Sequence, residues 1–297
     1  MQASFVIPTY NRSTCLKDCI EHLFEQNFVK SEFEIVVVDD GSTDDTKEVV
    51  EDLQNGAPIE IQYFRQENQG QGIARNLGVM KARGKIIVLI GDDIIVTPDF
   101  LREHMKIHNK YHEENVAVLG LILWHPDTNK TPLMNFLTDG SAILGRFGGH
   151  QFAFEKLAGK KMADFNFFYT SNISLKRSLM LKYSFDPIFS KYGWEDIELG
   201  YRLTKEAFMK LHYNRFAIGY HLHDIDERSF KNRMQMIGRS AKVIDAKYPE
   251  LKKNPPKWKK FVFSVLSSTP VIRLLKKDSL MYYYALSKKY FLEGLEE

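Results

Sequence analysis

Twice in its N-terminal third this chain runs an apolar stretch of strand length straight into two adjacent aspartates. Phe33 to Val38 leads into Asp39-Asp40-Gly41-Ser42, and Lys85 to Ile90 leads into Gly91-Asp92-Asp93, with Pro98 barring further extension. Neighbouring carboxylates repel one another and resist desolvation, so they belong where a strand leaves the core. A third apolar run, Ala3 to Thr9, ends in the turn Tyr10-Asn11-Arg12. Helical periodicity follows each of the three runs, over 13–27, 43–54 and 98–112, and recurs over 70–83, with Ser13 or Thr14 and Ser42 or Thr43 as expected caps. Strand, helix and strand in close succession require parallel pairing with a right-handed crossover. All these carboxyl ends then share one sheet edge, the edge at which open α/β sheets bind ligands.

Further strands are expected near 60–65, 115–122, 167–175 and 213–220, and helices near 195–207 and 227–246. The alternation is regular through residue 112 and then loosens. Residues 125–165 show no clean period and include Gly140, Gly145, Gly148 and Gly149, which suits a lid or binding loop. Paired acids at the ligand edge suit a hard divalent cation holding a diphosphate. The plainer reading of each pair is a solvated turn that opens the next helix, and Asp39 fits it better than Asp40. No G-x-G-x-x-G follows the first strand, which argues against a glycine-fingerprint dinucleotide site.

Four motifs in order, Phe5 to Arg12, Val37 to Asp44, Asn68-Gln69-Gly70 through Ala74-Arg75-Asn76, and Gly91-Asp92-Asp93 before Pro98, resemble the inverting family 2 glycosyltransferases of the GT-A fold. A fifth, Gly193 to Leu203, resembles that family's acidic motif beside the acceptor. The resemblance covers about residues 3–240 and implies a single, mostly parallel α/β nucleotide-binding sheet with helices on both faces. It implies a nucleotide-binding half over 1–112 and an acceptor half over 113–250; residues 251–297 fall outside it and are expected to form a helical C-terminal appendage. By the same resemblance Asp93 holds Mn²⁺ or Mg²⁺, with His221 or His223 completing the shell. Asp92 lies toward the ribose, and Asp40 meets the imide edge of a uracil in a pocket shaped by Pro8, Thr9 and Arg75. The family often places a further acid two residues before Asp92, where this chain has Ile90, so direct chelation by two carboxylates is weakened. Asp196 becomes the general base and Glu195 its orienting neighbour, with Trp194 and Asn172 on the acceptor side. The implied reaction moves a sugar from a UDP-sugar to a saccharide or lipid-linked saccharide with inversion. A helix start answering its own macrodipole is the plainer reading of Glu195 and Asp196.

Net charge is only +3, too small for a general nucleic-acid binder. Cys15 and Cys19 stand four apart on an amphipathic helix and read as small hydrophobes in a reducing compartment. No basic-then-apolar leader and no apolar run of about 18 residues is visible, so the expected location is the cytoplasm. From Lys252 onward, lysines surround Trp258 and Phe261. That composition suits peripheral contact of 252–277 with an anionic membrane, and equally a helical appendage with its lysines in water. Two other functions share parts of this pattern. A sugar-phosphate nucleotidyltransferase needs a glycine-rich basic loop after the first strand, which Pro8 to Arg12 is not. A non-catalytic saccharide-binding protein has no use for Asp40, Asp92, Asp93 and Asp196 together.

Overall fold

The computed structural model describes residues 1–139, 153–189, 193–222 and 225–297. His223 and the four glycines of the expected lid lie outside the described residues. Within 125–165 the described parts do carry structure, contrary to expectation: Pro132–Asp139 is helical, Phe154–Leu157 and Phe165–Phe167 are single 3₁₀ turns, and Met162–Ala163 is a short strand.

In chain order the strands are β1 (Ala3–Thr9), β2 (Phe33–Asp39), β3 (Glu60–Arg65), β4 (Ile86–Ile90), β5 (Ile94–Val96), β6 (Val116–Trp124), β7 (Met162–Ala163), β8 (Asn172–Lys176) and β9 (Lys210–His221). The helices are α1 (Ser13–Phe24), α2 (Thr46–Gln54), α3 (Gln71–Lys81), α4 (Phe100–Lys110), α5 (Pro132–Asp139), α6 (Arg177–Lys182), α7 (Glu195–Glu206), α8 (Glu227–Lys247), α9 (Lys257–Leu266), α10 (Thr269–Leu274) and α11 (Leu280–Glu296). Two compact units emerge. The first comprises Met1–Pro126, Leu157–Ser190 and Glu195–His223, and the second Asp127–Lys156, Lys191–Trp194 and Asp224–Glu297. The expected boundary at 250 therefore differs from the packing, because α8 belongs with the C-terminal helices.

In the first unit one sheet runs β3-β2-β1-β4-β8-β6-β9-β5, with β7 also on β9. Its first four strands are parallel, as the crossovers require. β8 then runs antiparallel to both β4 and β6. β1 and β2 are buried along their whole length, which is why they read as unbroken apolar runs. β4 leaves β1 at Val6↔Leu89, so Pro8 stands beyond the pairing with β4, where its missing N–H breaks no ladder on that side. Phe5 packs edge-on to Phe33 at 5.8 Å and stacks on Phe100 at 6.2 Å, tying β1 to β2 and α4. Truncating one of these fully buried rings would cost about 3–5 kcal/mol.

The short β5 was not expected. Ile94 to Val96 pairs antiparallel with β9, Ile94 facing His221. β9 reaches that position through an irregularity: its pairing with β6 shifts from Leu119↔Tyr213 to Leu121↔Ile218. Helix α2 begins at Thr46, later than expected, because the foreseen caps are engaged elsewhere. Ser42 Oγ accepts from Asn11 N–H at 2.9 Å, and Asp44 accepts from the backbone and hydroxyl of Thr46.

In the second unit α8 packs on α11, and Gly238 and Gly294 let the backbones meet where a Cβ would collide with Phe291 or Gln235 carbonyl oxygens. Phe136 of α5 closes on Phe230 and Tyr283 at 6.2 and 6.1 Å. Asp226 and Ser229 form a reciprocal capping box at the start of α8.

Candidate active site

Parallel pairing brings the ends of β1, β2 and β4 to one edge, and the side chains there form a continuous hydrogen-bonded set. Thr9 Oγ1 donates to Asp92 Oδ2 at 2.8 Å. Arg12 follows β1 and reaches both acids, Nη1 lying 3.3 Å from Asp92 and Nη2 2.8 Å from Asp93. Burial and the repulsion of Asp93 push the Asp92 carboxyl up to about 7, while Arg12 and Thr9 pull the other way. Burial works against the Arg12 cation, but Asp92 and Asp93 outweigh it and raise its pKa. Arg12 had no assigned role in the sequence. Its signal was a lone basic residue at the end of a strand whose neighbours end in acids.

His221, at the end of β9, places Nε2 3.4 Å from Asp93 Oδ2, with Trp124 edge-on to its ring at 5.2 Å. The β5–β9 pairing makes this meeting, and Leu222 N–H donating to the Asp93 carbonyl at 3.1 Å fixes it. Among the described residues no cluster of three or more His, Cys, Asp or Glu is arranged to hold a metal. The donors present still fit one: the Asp93 carboxylate and the His221 imidazole meet at one point with Asp92 beside them, and the Arg12 cation shows the same carboxylates drawing positive charge. Mg²⁺ or Mn²⁺ commonly takes one or two carboxylates and fills its shell with phosphate oxygens and water.

Asp39 and Asp40 both accept backbone hydrogen bonds, Asp39 from the turn after β2 and Asp40 from the loop after β3. Asp39 accepts from Ser42 N–H at 2.7 Å and Tyr63 O–H at 2.6 Å, which is a turn role. Asp40 accepts from the Gln66 amide at 2.7 Å and from Gln69 N–H at 2.9 Å on Oδ1, and from Gly70 N–H at 2.8 Å on Oδ2. It therefore anchors the loop that enters α3, and only its remaining acceptor capacity is open to a base. Gly70 sits at φ +91°, a backbone that a side chain would strain.

The amino ends of α3 and α7 face one another. Gln71 Nε2 donates to Glu195 Oε1 at 2.5 Å, and Arg75 Nη1 lies 4.0 Å from Asp196 Oδ1. Arg75 is buried over the Phe185 ring at 5.7 Å, and among the described residues its Nε and Nη1 have no hydrogen-bond partner. Its Nη2 donates to Gln71 Oε1 at 3.1 Å, so the capacity that remains is at Nε and Nη1. Thr170 donates its N–H and hydroxyl to Asp196 at 2.9–3.1 Å, a contact the sequence did not announce. The Asp196 side chain remains 24% exposed, against 8% for Asp92 and 12% for Asp93, so it is the acid most open to an incoming group.

Two acceptor-side expectations need correction. Asn172 is fully buried: its amide donates to Leu121 and Ala217 carbonyls at 3.1 and 2.9 Å, and its Oδ1 lies 2.8 Å from His104 Nε2. These carbonyls lie at the irregularity in the β6–β9 pairing, and the Asn172 amide donates to both. Trp194 follows Gly193 (φ +124°) at φ +66°, a backbone unusual for a bulky residue. That twist sends its indole N–H to the Ile237 carbonyl at 3.0 Å and puts Lys253 over the ring at 4.6 Å, so the indole is committed within the second unit.

The family model for glycosyl transferase family 2 matches residues 4–176. Validoxylamine A glucosyltransferase of Streptomyces hygroscopicus subsp. jinggangensis is 31% identical over 67% of this chain and 50% of its own length. The uncharacterized glycosyltransferase YfnE of Bacillus subtilis is 27% identical over 74% of this chain and 64% of its own length. The chain thus spans between half and two thirds of these relatives. Among solved structures, mannosyltransferase PcManGT of Pyrobaculum calidifontis, in complex with GDP-Man and Mn²⁺, matches with TM-score 0.66 at 16% identity over 99% of this chain and 85% of that one. Staphylococcus aureus TarS 1-349, in complex with UDP-GlcNAc, matches with TM-score 0.57 at 15% identity over 100% and 91%. At such identity these structures establish the GT-A fold.

Proposed function

Because this chain belongs to glycosyl transferase family 2, we propose that it transfers a sugar from a nucleoside diphosphate donor, UDP-linked, to a hydroxyl of a saccharide or lipid-linked saccharide, with inversion. The observation that carries this reading is the meeting of Asp93 and His221 at 3.4 Å on the ligand edge of the sheet, beside Arg12. Neighbours whose structures hold UDP-GlcNAc, or GDP-Man with Mn²⁺, support a nucleotide-sugar donor and a cation.

A divalent cation held by Asp93 and His221 would supply positive charge to the departing diphosphate. The chain's own groups do the rest. Arg12, beside Asp92 and Asp93 and partly exposed, would offer its guanidinium to the phosphates. Asp92 faces the ribose from a position fixed by Thr9. The uracil imide N–H meets Asp40 on the oxygen shared with Gly70 N–H, between Pro8, Thr9 and Arg75.

On the acceptor side Asp196 takes the hydroxyl proton as that oxygen forms its bond to the anomeric carbon and the bond from that carbon to the diphosphate breaks. Thr170 holds the Asp196 carboxylate in place. A single displacement inverts the centre. Glu195, fixed by Gln71, orients the acceptor.

The test is a panel of UDP- and GDP-sugars screened for Mn²⁺-dependent protection against thermal unfolding, then for transfer to saccharide acceptors by product mass. Protection and transfer with a UDP-sugar is the expected result. Protection by no nucleotide sugar refutes the reading, and preference for a GDP-sugar refutes its uracil part.

A further inference from the structure

Helix α9 wears its apolar stripe on the outside. Trp258, Phe261, Val262 and Val265 recur at i, i+3, i+4 and i+7, which places them on one face. All four are open to solvent, at 64%, 70%, 42% and 49%. The rest of the helix meets α11, where Lys288 caps the Phe263 ring at 5.0 Å. On α10 Leu274 is 87% exposed. A monomeric domain seldom leaves a contiguous stripe of this kind uncovered without a partner for it.

Charge identifies the partner. Residues 252–277 contain eight lysines and arginines and no acid, so this one segment outweighs the net +3 of the whole chain. Lys257 and Lys259 flank the stripe in solvent, and Arg273, Lys276 and Lys277 stand exposed beside Leu274. A second copy would bring a like-charged face against this one. An anionic bilayer satisfies both features, because it takes aromatic and aliphatic side chains to the depth of the headgroups while lysines reach back to the phosphates. Among the described residues no helix is long and apolar enough to cross a membrane, so the contact is one of lying on the surface. We propose that α9 and α10 form a peripheral docking surface for anionic phospholipid, with Trp258, Phe261 and Val265 inserted and the surrounding lysines on the headgroups. It stands independently of which sugar or acceptor the catalytic site uses.

Flotation of the full chain with vesicles of phosphatidylcholine alone, and of phosphatidylcholine mixed with phosphatidylglycerol, is the test. Binding is expected only to the mixed vesicles, weakening as salt is added and falling about fivefold for each of Lys257 and Lys259 changed to alanine. Trp258 emission should shift to shorter wavelength on binding. Phe261→Glu, at a solvent-exposed position, should abolish flotation while leaving the thermal midpoint where it was. The proposal is overturned by absence of flotation with anionic vesicles, by equal flotation of Phe261→Glu, or by light scattering that shows a dimer which Phe261→Glu dissociates and which binds no vesicle. Binding to an acidic protein in place of vesicles overturns it equally.

Discussion

His221 Nε2 stands 3.4 Å from Asp93 Oδ2, although one residue follows β4 and the other ends β9. Two donors that hold the same point from distant segments leave little freedom in what lies between them. If they serve a cation, changing either should damage the same function. Asp93→Asn and His221→Ala are each expected to weaken nucleotide-sugar binding in Mn²⁺ at least tenfold while the fold survives, a loss of about 1.4 kcal/mol. Calorimetry with and without EDTA decides the matter, since equal UDP affinity in the two conditions for the unmodified protein would sink the metal assignment.

Asp196 invites a kinetic test. As a general base it should contribute roughly 10²- to 10⁴-fold, so Asp196→Asn should lower transfer by that factor with donor affinity nearly unchanged. Glu195→Gln should be milder. Thr170→Val removes the hydroxyl that holds the Asp196 carboxylate and should lower kcat without altering donor affinity. A product that retains the donor's anomeric configuration, read by NMR, would remove Asp196 from this role.

For Asn172 the expected defect is in folding. Asn172→Ala leaves two buried carbonyls and His104 Nε2 without their partner, which should cost about 3 kcal/mol in a urea titration. The acceptor KM of the folded fraction should not move. Normal stability with a raised acceptor KM would return Asn172 to the acceptor site.

The same network predicts a pH dependence. The amide of Asn172 is donating elsewhere, so His104 Nε2–H must donate to Oδ1, its Nδ1 accepts from Ser174 O–H, and Ser174 Oγ accepts from His108 Nε2–H. Both rings are neutral in this arrangement. Burial lowers His104 to about 4 and His108 to about 3, from 6.5. The unfolded chain therefore binds more protons on acidification, and the stability present above about pH 6.5 is lost as pH falls toward 4. His104 alone accounts for on the order of 3 kcal/mol across that window. Thermal midpoints followed from about pH 7 to about pH 5 should fall in the unmodified chain and fall less in His104→Asn. Parallel curves would show that these histidines are not the cause.

How much of this could be read in advance depended on range. The sequence alone determined β1 to β4, the helices between them and the ligand edge, because burial, crossover handedness and turn chemistry are local constraints written in consecutive residues. It also placed Asp40, Asp92, Asp93 and Asp196 at the carboxyl or amino ends of elements, where acids are tolerated. Only the tertiary structure decided which of them meet. The irregular β6–β9 pairing that brings His221 to Asp93, the strand β5 that receives it, and the backbone twist that turns Trp194 into the second unit all join residues far apart in sequence. Asn172 shows the reason most directly: a buried amide and a ligand-binding amide have the same letter. What separates them is whether buried carbonyls stand within reach of the amide, and that follows from a strand register no local pattern encodes.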